Sequence, residues 1–117
     1  IINMEKYLYL ITEKRKKERK EAEVLRQKLL GEVKNLLSDF SRMIPFQEAY
    51  IFGSLVKPGD FFVDSDIDIA FYGLKDKNFI KAISFLSGHL GRDVDVVQLE
   101  GYRLEEKIKK EGIKWIK

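Results

Sequence analysis

The chain has 117 residues, of which 44% are apolar and 35% charged, with a formal net charge of +3. That balance describes one soluble domain with its own core, expected in the cytoplasm, and no apolar run approaches the ~18 residues of a membrane span. The lack of cysteine excludes disulfides and thiolate zinc sites, and a single histidine, His89, excludes His-rich metal sites.

Charge is unevenly spread. Residues 13–28 hold eight Lys/Arg against four Glu, whereas residues 29–117 sum to −1. The opening residues lack the basic start and small-residue cleavage site of a signal peptide.

Residues 1–11 are apolar and short, and read as a first helical turn or an added strand. From Thr12 to Asp39 there is no proline, and Ala22, Leu25, Leu29, Val33, Leu36 and Phe40 recur at three- and four-residue steps. This is one stripe of a long helix. Between Glu13 and Glu21 the stripe carries only charge, so the helix is expected to pack from about residue 22 and to project or fray before it. Residues 1–21 are accordingly an extension and 22–117 the domain proper. The basic run interleaves Glu with Lys/Arg and lacks aromatics, which suits a solvated helix face better than a nucleic-acid stripe. Pro45 ends the helix.

Ala49 to Phe52 reads as a buried strand stopped by Gly53-Ser54, and Lys57-Pro58-Gly59-Asp60 as a loop. Ile67, Ile69 and Phe71 alternate with Asp66, Asp68 and Ala70, predicting a strand over 66–72. Asp76 is placed to cap a helix that runs to Leu90 and closes at Gly91, with His89 as a basic residue in its last turn. Val94 to Val97 forms a third strand, Leu104 to Lys110 a short helix and Ile113 to Ile116 a final strand. Strands alternating with helices give an α/β (α+β) class with a small mixed sheet.

Asp66 and Asp68, two apart on a strand, point to one face. Paired carboxylates repel, and burying either one alone is costly. A hard cation resolves this, and Mg²⁺ takes oxygen ligands while sharing itself with substrate phosphates. Asp95, flanked by valines on another strand, is the natural third ligand. A strand stopping at Gly53-Ser54 lets the backbone approach an anion closely, with the serine hydroxyl and following N–H groups facing phosphates.

The arrangement Gly53-Ser54-x11-Asp66-x-Asp68, followed by Val94-Asp95-Val96, resembles the polymerase-β-like nucleotidyltransferase superfamily. Within it the chain looks most like the minimal nucleotidyltransferases, stand-alone domains encoded beside a HEPN-domain protein. The resemblance runs from about Leu25 to Trp115. It implies a mixed sheet with helices on one face and a triphosphate, as ATP, on Gly53 and Ser54. It also implies metal binding by Asp66, Asp68 and Asp95, which serve as the catalytic carboxylates for two Mg²⁺ ions. Asp95 is further implied to help deprotonate an acceptor hydroxyl. Where many members carry arginines after the serine, this chain has Leu55 and Lys57, leaving Lys57 as the cationic phosphate contact. The implied reaction is transfer of AMP to a tyrosine of a HEPN toxin, making the chain an antitoxin. The rival is a non-catalytic antitoxin that neutralises the same partner by binding. No membrane or nucleic-acid partner is expected, and a homo-oligomer is left open.

Other readings of these residues fare worse. Asp64, Asp66 and Asp68 spell the opening of an EF-hand loop, but its sixth and twelfth positions are Ile69 and Lys75 rather than Gly and Glu. No Walker-type glycine-lysine loop exists. Tyr50, Phe52, Phe71 and Tyr72 read as core and sheet-face residues rather than base-stacking groups, and base contact by Tyr72, which closely follows the Asp pair, is the lesser alternative.

Overall fold

The computed structural model describes residues 3–116. Helix α1 spans Met4–Met43 without a break. Asn3 caps it, its side-chain oxygen accepting from the N–H of Glu5 at 3.0 Å and of Lys6 at 3.3 Å. At ~1.5 Å per residue, 40 residues reach roughly 60 Å, so this one helix sets the 63 Å long dimension of the molecule. Residues 4–10 continue it and form no strand; Ile1 and Ile2 lie outside the described residues. Nothing in residues 4–21 breaks a helix, so the expected projecting turns are helical and exposed rather than frayed. Burial begins at Arg26 and continues through Leu29, Leu30, Val33, Leu37 and Phe40.

Strands β1 (Glu48–Phe52), β2 (Ile67–Tyr72), β3 (Val94–Gln98) and β4 (Ile113–Trp115) form one sheet in the order β3-β2-β1-β4. β2 and β3 run parallel, joined by helix α2 (Phe79–Leu90); β1 pairs antiparallel with β2 and with β4. Helix α3 (Glu105–Glu111) carries the chain from β3 back to the β4 edge.

Strand alternation sorts the sheet into two faces. Ala49, Ile51, Ile69 and Phe71 meet Val33, Leu37 and Phe40 of α1 and Ala82 and Leu86 of α2. Phe40, Phe46, Phe71, Phe85 and Trp115 interlock there, with ring centroids 5.0–6.0 Å apart. Truncating a buried ring such as Phe71 typically removes about 3–5 kcal/mol. The long helices α1 and α2 share this face; α3 does not, which departs from the expectation of helices on one face only. The opposite face holds a smaller cluster of Tyr50, Ala70, Leu99 and Ile108, covered by short α3. Gly112 makes that cover possible, because a Cβ there would stand 2.6 Å from the Ile108 carbonyl oxygen and 3.0 Å from that of Ile51.

Some expected boundaries move. β2 begins at Ile67, leaving Asp66 just ahead of it, and β4 stops before Ile116. Asp76 does not cap α2. It opens a 3-10 turn (Asp76–Asn78), and its Oδ1 accepts from the side-chain amide of Gln98 instead. Gly91 closes α2 in the left-handed conformation, and the His89 ring sits in the last turn, its Nδ1 2.8 Å from the Phe85 carbonyl.

Candidate active site

The site is built where β1 runs out. Phe52, its last residue, lies opposite Asp68 of β2, and Asp68 lies opposite Asp95 of β3. Neighbouring strands are about 4.8 Å apart, and both carboxylates belong to the face covered by α3. Their spacing in sequence is 27 residues, so only the parallel β2–β3 pairing brings them side by side.

Asp68 is half-buried, and its pKa is raised from 3.8 to about 6. Burial is the largest cause, followed by the charges of Asp95 and Asp66, and then a hydrogen bond shared with Asp95. Asp66 sits in exposed chain just before β2. Among the described residues, no three acidic or His side chains close into a ready metal-ligand group. The set is therefore a strand-borne pair, Asp68 with Asp95, and an outlying Asp66 that acts on Asp68 through its charge.

Beyond Phe52 the chain enters a 3-10 turn, Gly53–Val56, which holds Ser54 and is closed by a 3.1 Å bond from the Lys57 N–H to the Ser54 carbonyl. Gly53 has φ +75°, and its missing Cβ would lie 2.2 Å from Oδ2 of Asp68. Only glycine permits that approach. The turn and the carboxylate pair are in direct contact.

Two features at the turn were not visible in the sequence. Arg26 of α1 is buried, and its Nη1 donates to the Leu55 carbonyl at 3.0 Å. Glu23 grips the same guanidinium in a fork, with bonds of 2.8 and 2.7 Å to Nε and Nη2. This contact holds the Glu23 carboxyl down to about 2. The other feature is Lys107 of α3, which joins the exposed Lys57 around a cavity of about 190 Å³. Phe52, Gly53 and Val56 line the same cavity from the turn side, so a second cation stands near Gly53 besides Lys57.

The donor set is all oxygen, which suits Mg²⁺. The raised Asp68 fits as well, since a cation between Asp68 and Asp95 would relieve the repulsion that raises it. Tyr72 is half-buried in the cluster under α3, and Tyr50 and Phe71 are core.

Comparison with protein families matches residues 31–116 to the polymerase β nucleotidyltransferase domain. The chain belongs to that family. Among solved structures, this nucleotidyltransferase domain is similar to a chain of a toxin–antitoxin complex with AMP-PNP. The two are 28% identical at a TM-score of 0.60, covering 71% of this chain and 72% of that one. A chain of the toxin–antitoxin complex MntA–HepT is 26% identical at a TM-score of 0.53, covering 71% and 68%. Comparison with curated proteins gave no match. The expected resemblance to the minimal nucleotidyltransferases of toxin–antitoxin pairs therefore stands. The matched span starts well inside α1, so the projecting half of that helix lies outside it.

Proposed function

We propose that this nucleotidyltransferase domain moves AMP from ATP onto a hydroxyl of a toxin partner, a tyrosine of a HEPN-domain protein. The observation that carries the reading is the pairing of Asp68 and Asp95 against Gly53. In this reading Gly53, Ser54 and Lys57 hold the triphosphate, and Lys107 adds a second positive charge. Asp66, Asp68 and Asp95 would hold Mg²⁺, which when bound neutralises phosphate charge and lowers the barrier to displacement. The acceptor oxygen forms a bond to the α-phosphorus, the bond to the bridging oxygen breaks, and pyrophosphate leaves. Asp95, the exposed member of the pair, takes the hydroxyl proton in this reading. The support for a toxin partner is the similarity to chains of toxin–antitoxin complexes, one of them with an ATP analogue.

A second reading, neutralisation by binding alone, draws on Leu55 and Lys57 standing where many relatives carry arginines. Calorimetry of Mg-ATP binding separates the two at their first step. The double variant Asp66→Asn/Asp68→Asn is expected to lose Mg²⁺-dependent ATP binding while folding at least as stably, since repulsion is relieved. Equal affinity in the wild type and the double variant would remove the site.

A further inference from the structure

We propose that Arg92 is a positioning residue that holds Asp66 in place as a magnesium ligand, by fixing residues 63–67. The role rests on the nucleotidyl-transfer reading above.

Asp66 has little of its own to fix it. It is exposed and stands just ahead of β2, at the end of residues 57–66, which join the Gly53–Val56 turn to that strand. It has no place in the strand ladders, whereas Asp68 and Asp95 are set by the β2–β3 register. Mg²⁺ demands near-ideal geometry of its oxygen ligands. A carboxylate outside the sheet therefore needs some other support.

Two consecutive residues between α2 and β3 supply it. The Arg92 guanidinium donates through Nη2 to the Val63 carbonyl. The Asp93 carbonyl accepts from the Ile67 N–H at 3.1 Å. The chain is thus gripped on both sides of Asp66, at residues 63 and 67, from one short connection. Between the grips it is stiffened by a reciprocal turn. Ser65 Oγ accepts from the Phe62 N–H at 2.9 Å, and the Ser65 N–H donates to the Phe62 carbonyl at 3.0 Å. Asp66 is the next residue, and its charge is felt at Asp68.

Arg92 is itself anchored. Its Cζ lies 5.4 Å from the centroid of the Phe61 ring, and Phe61 is buried in the main core. A cation over an aromatic face is attracted by the ring, more so as water is excluded. Nη1 is buried with no partner among the described residues, so the segment closes over the guanidinium rather than meeting it at the surface. Arginine suits this place better than lysine, because a planar guanidinium stacks on a ring and donates sideways to a carbonyl at once.

Calorimetric titration of ATP at stepped Mg²⁺ concentrations tests this in the wild type, Arg92→Met, Arg92→Lys and Ser65→Ala. Val63 is exposed, so its carbonyl turns to water when the donor goes, and methionine keeps a contact with Phe61. Circular dichroism checks that each variant folds. Groups that hold a metal ligand typically carry about 10–100-fold of metal affinity. Arg92→Met is expected to raise the Mg²⁺ concentration for half-maximal ATP binding about tenfold. ATP affinity should return to the wild-type value once Mg²⁺ saturates, because the Gly53–Val56 turn is untouched. Arg92→Lys should recover part of the shift, and Ser65→Ala should shift the same way by less. In an Asp66→Asn background Arg92→Met should add nothing, since its effect passes through that carboxylate. A wild type whose ATP binding ignores Mg²⁺ removes the metal site and this role with it. A wild type that requires Mg²⁺, with Arg92→Met requiring no more, or with a shift that persists in full on Asp66→Asn, overturns the role alone and leaves Arg92 a tie for the loop.

Discussion

Asp68 fills the space that a side chain at Gly53 would need. The Oδ2 of Asp68 stands 2.2 Å from where a Cβ on residue 53 would be, and residue 53 holds a left-handed φ of +75°. The Gly53–Val56 turn and the carboxylate pair are thus one unit, and a methyl group at residue 53 acts on both.

Gly53→Ala should therefore hurt binding more than folding. The φ alone costs about 1–2 kcal/mol. The methyl also drives the Asp68 carboxylate off its position opposite Asp95. We expect a folded protein with a modest fall in melting temperature and Mg-ATP affinity reduced about tenfold or more, measured by calorimetry. Unchanged affinity in a folded variant would contradict the contact's role.

Asp68 should leave a mark on stability against pH. Its folded pKa is raised to about 6 from an ordinary 3.8, so between those values the folded chain binds more protons than the unfolded one. Its contribution is then most favourable below pH about 4 and is lost as pH rises through about 6. In metal-free protein, denaturant midpoints should fall over that window, and Asp68→Asn should flatten the fall. Magnesium should oppose the decline above pH 6 in the wild type only. A wild-type midpoint that rises through the window contradicts this.

How much of this was legible follows residue by residue. Asp68 and Asp95 stood out as carboxylates set among apolar strand residues, and strand period gives the face they share; the same reasoning put Asp66 on that face, but β2 starts only at Ile67 and leaves Asp66 in exposed chain. Gly53-Ser54 was legible because it stops an apolar strand. The contact of Asp68 with Gly53 was not, since it depends on how the turn leaves β1. Arg26 was hidden among eight basic residues in 13–28. What singles it out is its angle on α1 and the arrival of Leu55 beside it, both set by tertiary packing. Lys107 was hidden likewise, because α3 covers the site face only through the crossing from β3 to β4. Asp76 misled because its acceptor went to Gln98, a residue 22 positions away.

Arg26 is a positioning residue by this geometry, and Arg26→Met should expose the difference. The Leu55 carbonyl loses its donor, which typically costs about 1–3 kcal/mol when a buried group is left unpaired. Because the turn rather than the carboxylates is loosened, KM for ATP should rise more than kcat falls. Arg26→Lys keeps the charge but not the fork to Glu23 and should recover only part of the KM. Stability lost with KM unchanged would reduce Arg26 to a purely structural tie.

The central claim is that the Asp68–Asp95 pair does chemistry on a partner, and intact-mass spectrometry of that partner tests it most directly. The toxin is incubated with this chain, ATP and Mg²⁺, and its mass is compared with controls lacking each component. A gain of one or more AMP units on the partner, on tyrosine, is the expected result. The gain should be absent with Asp68→Asn, and Asp95→Ala should remove it more completely than it removes ATP binding if Asp95 has the proposed role of taking the acceptor proton. A partner neutralised with no change in mass, and equally well by Asp68→Asn, would contradict it and leave the chain an antitoxin that acts by binding alone.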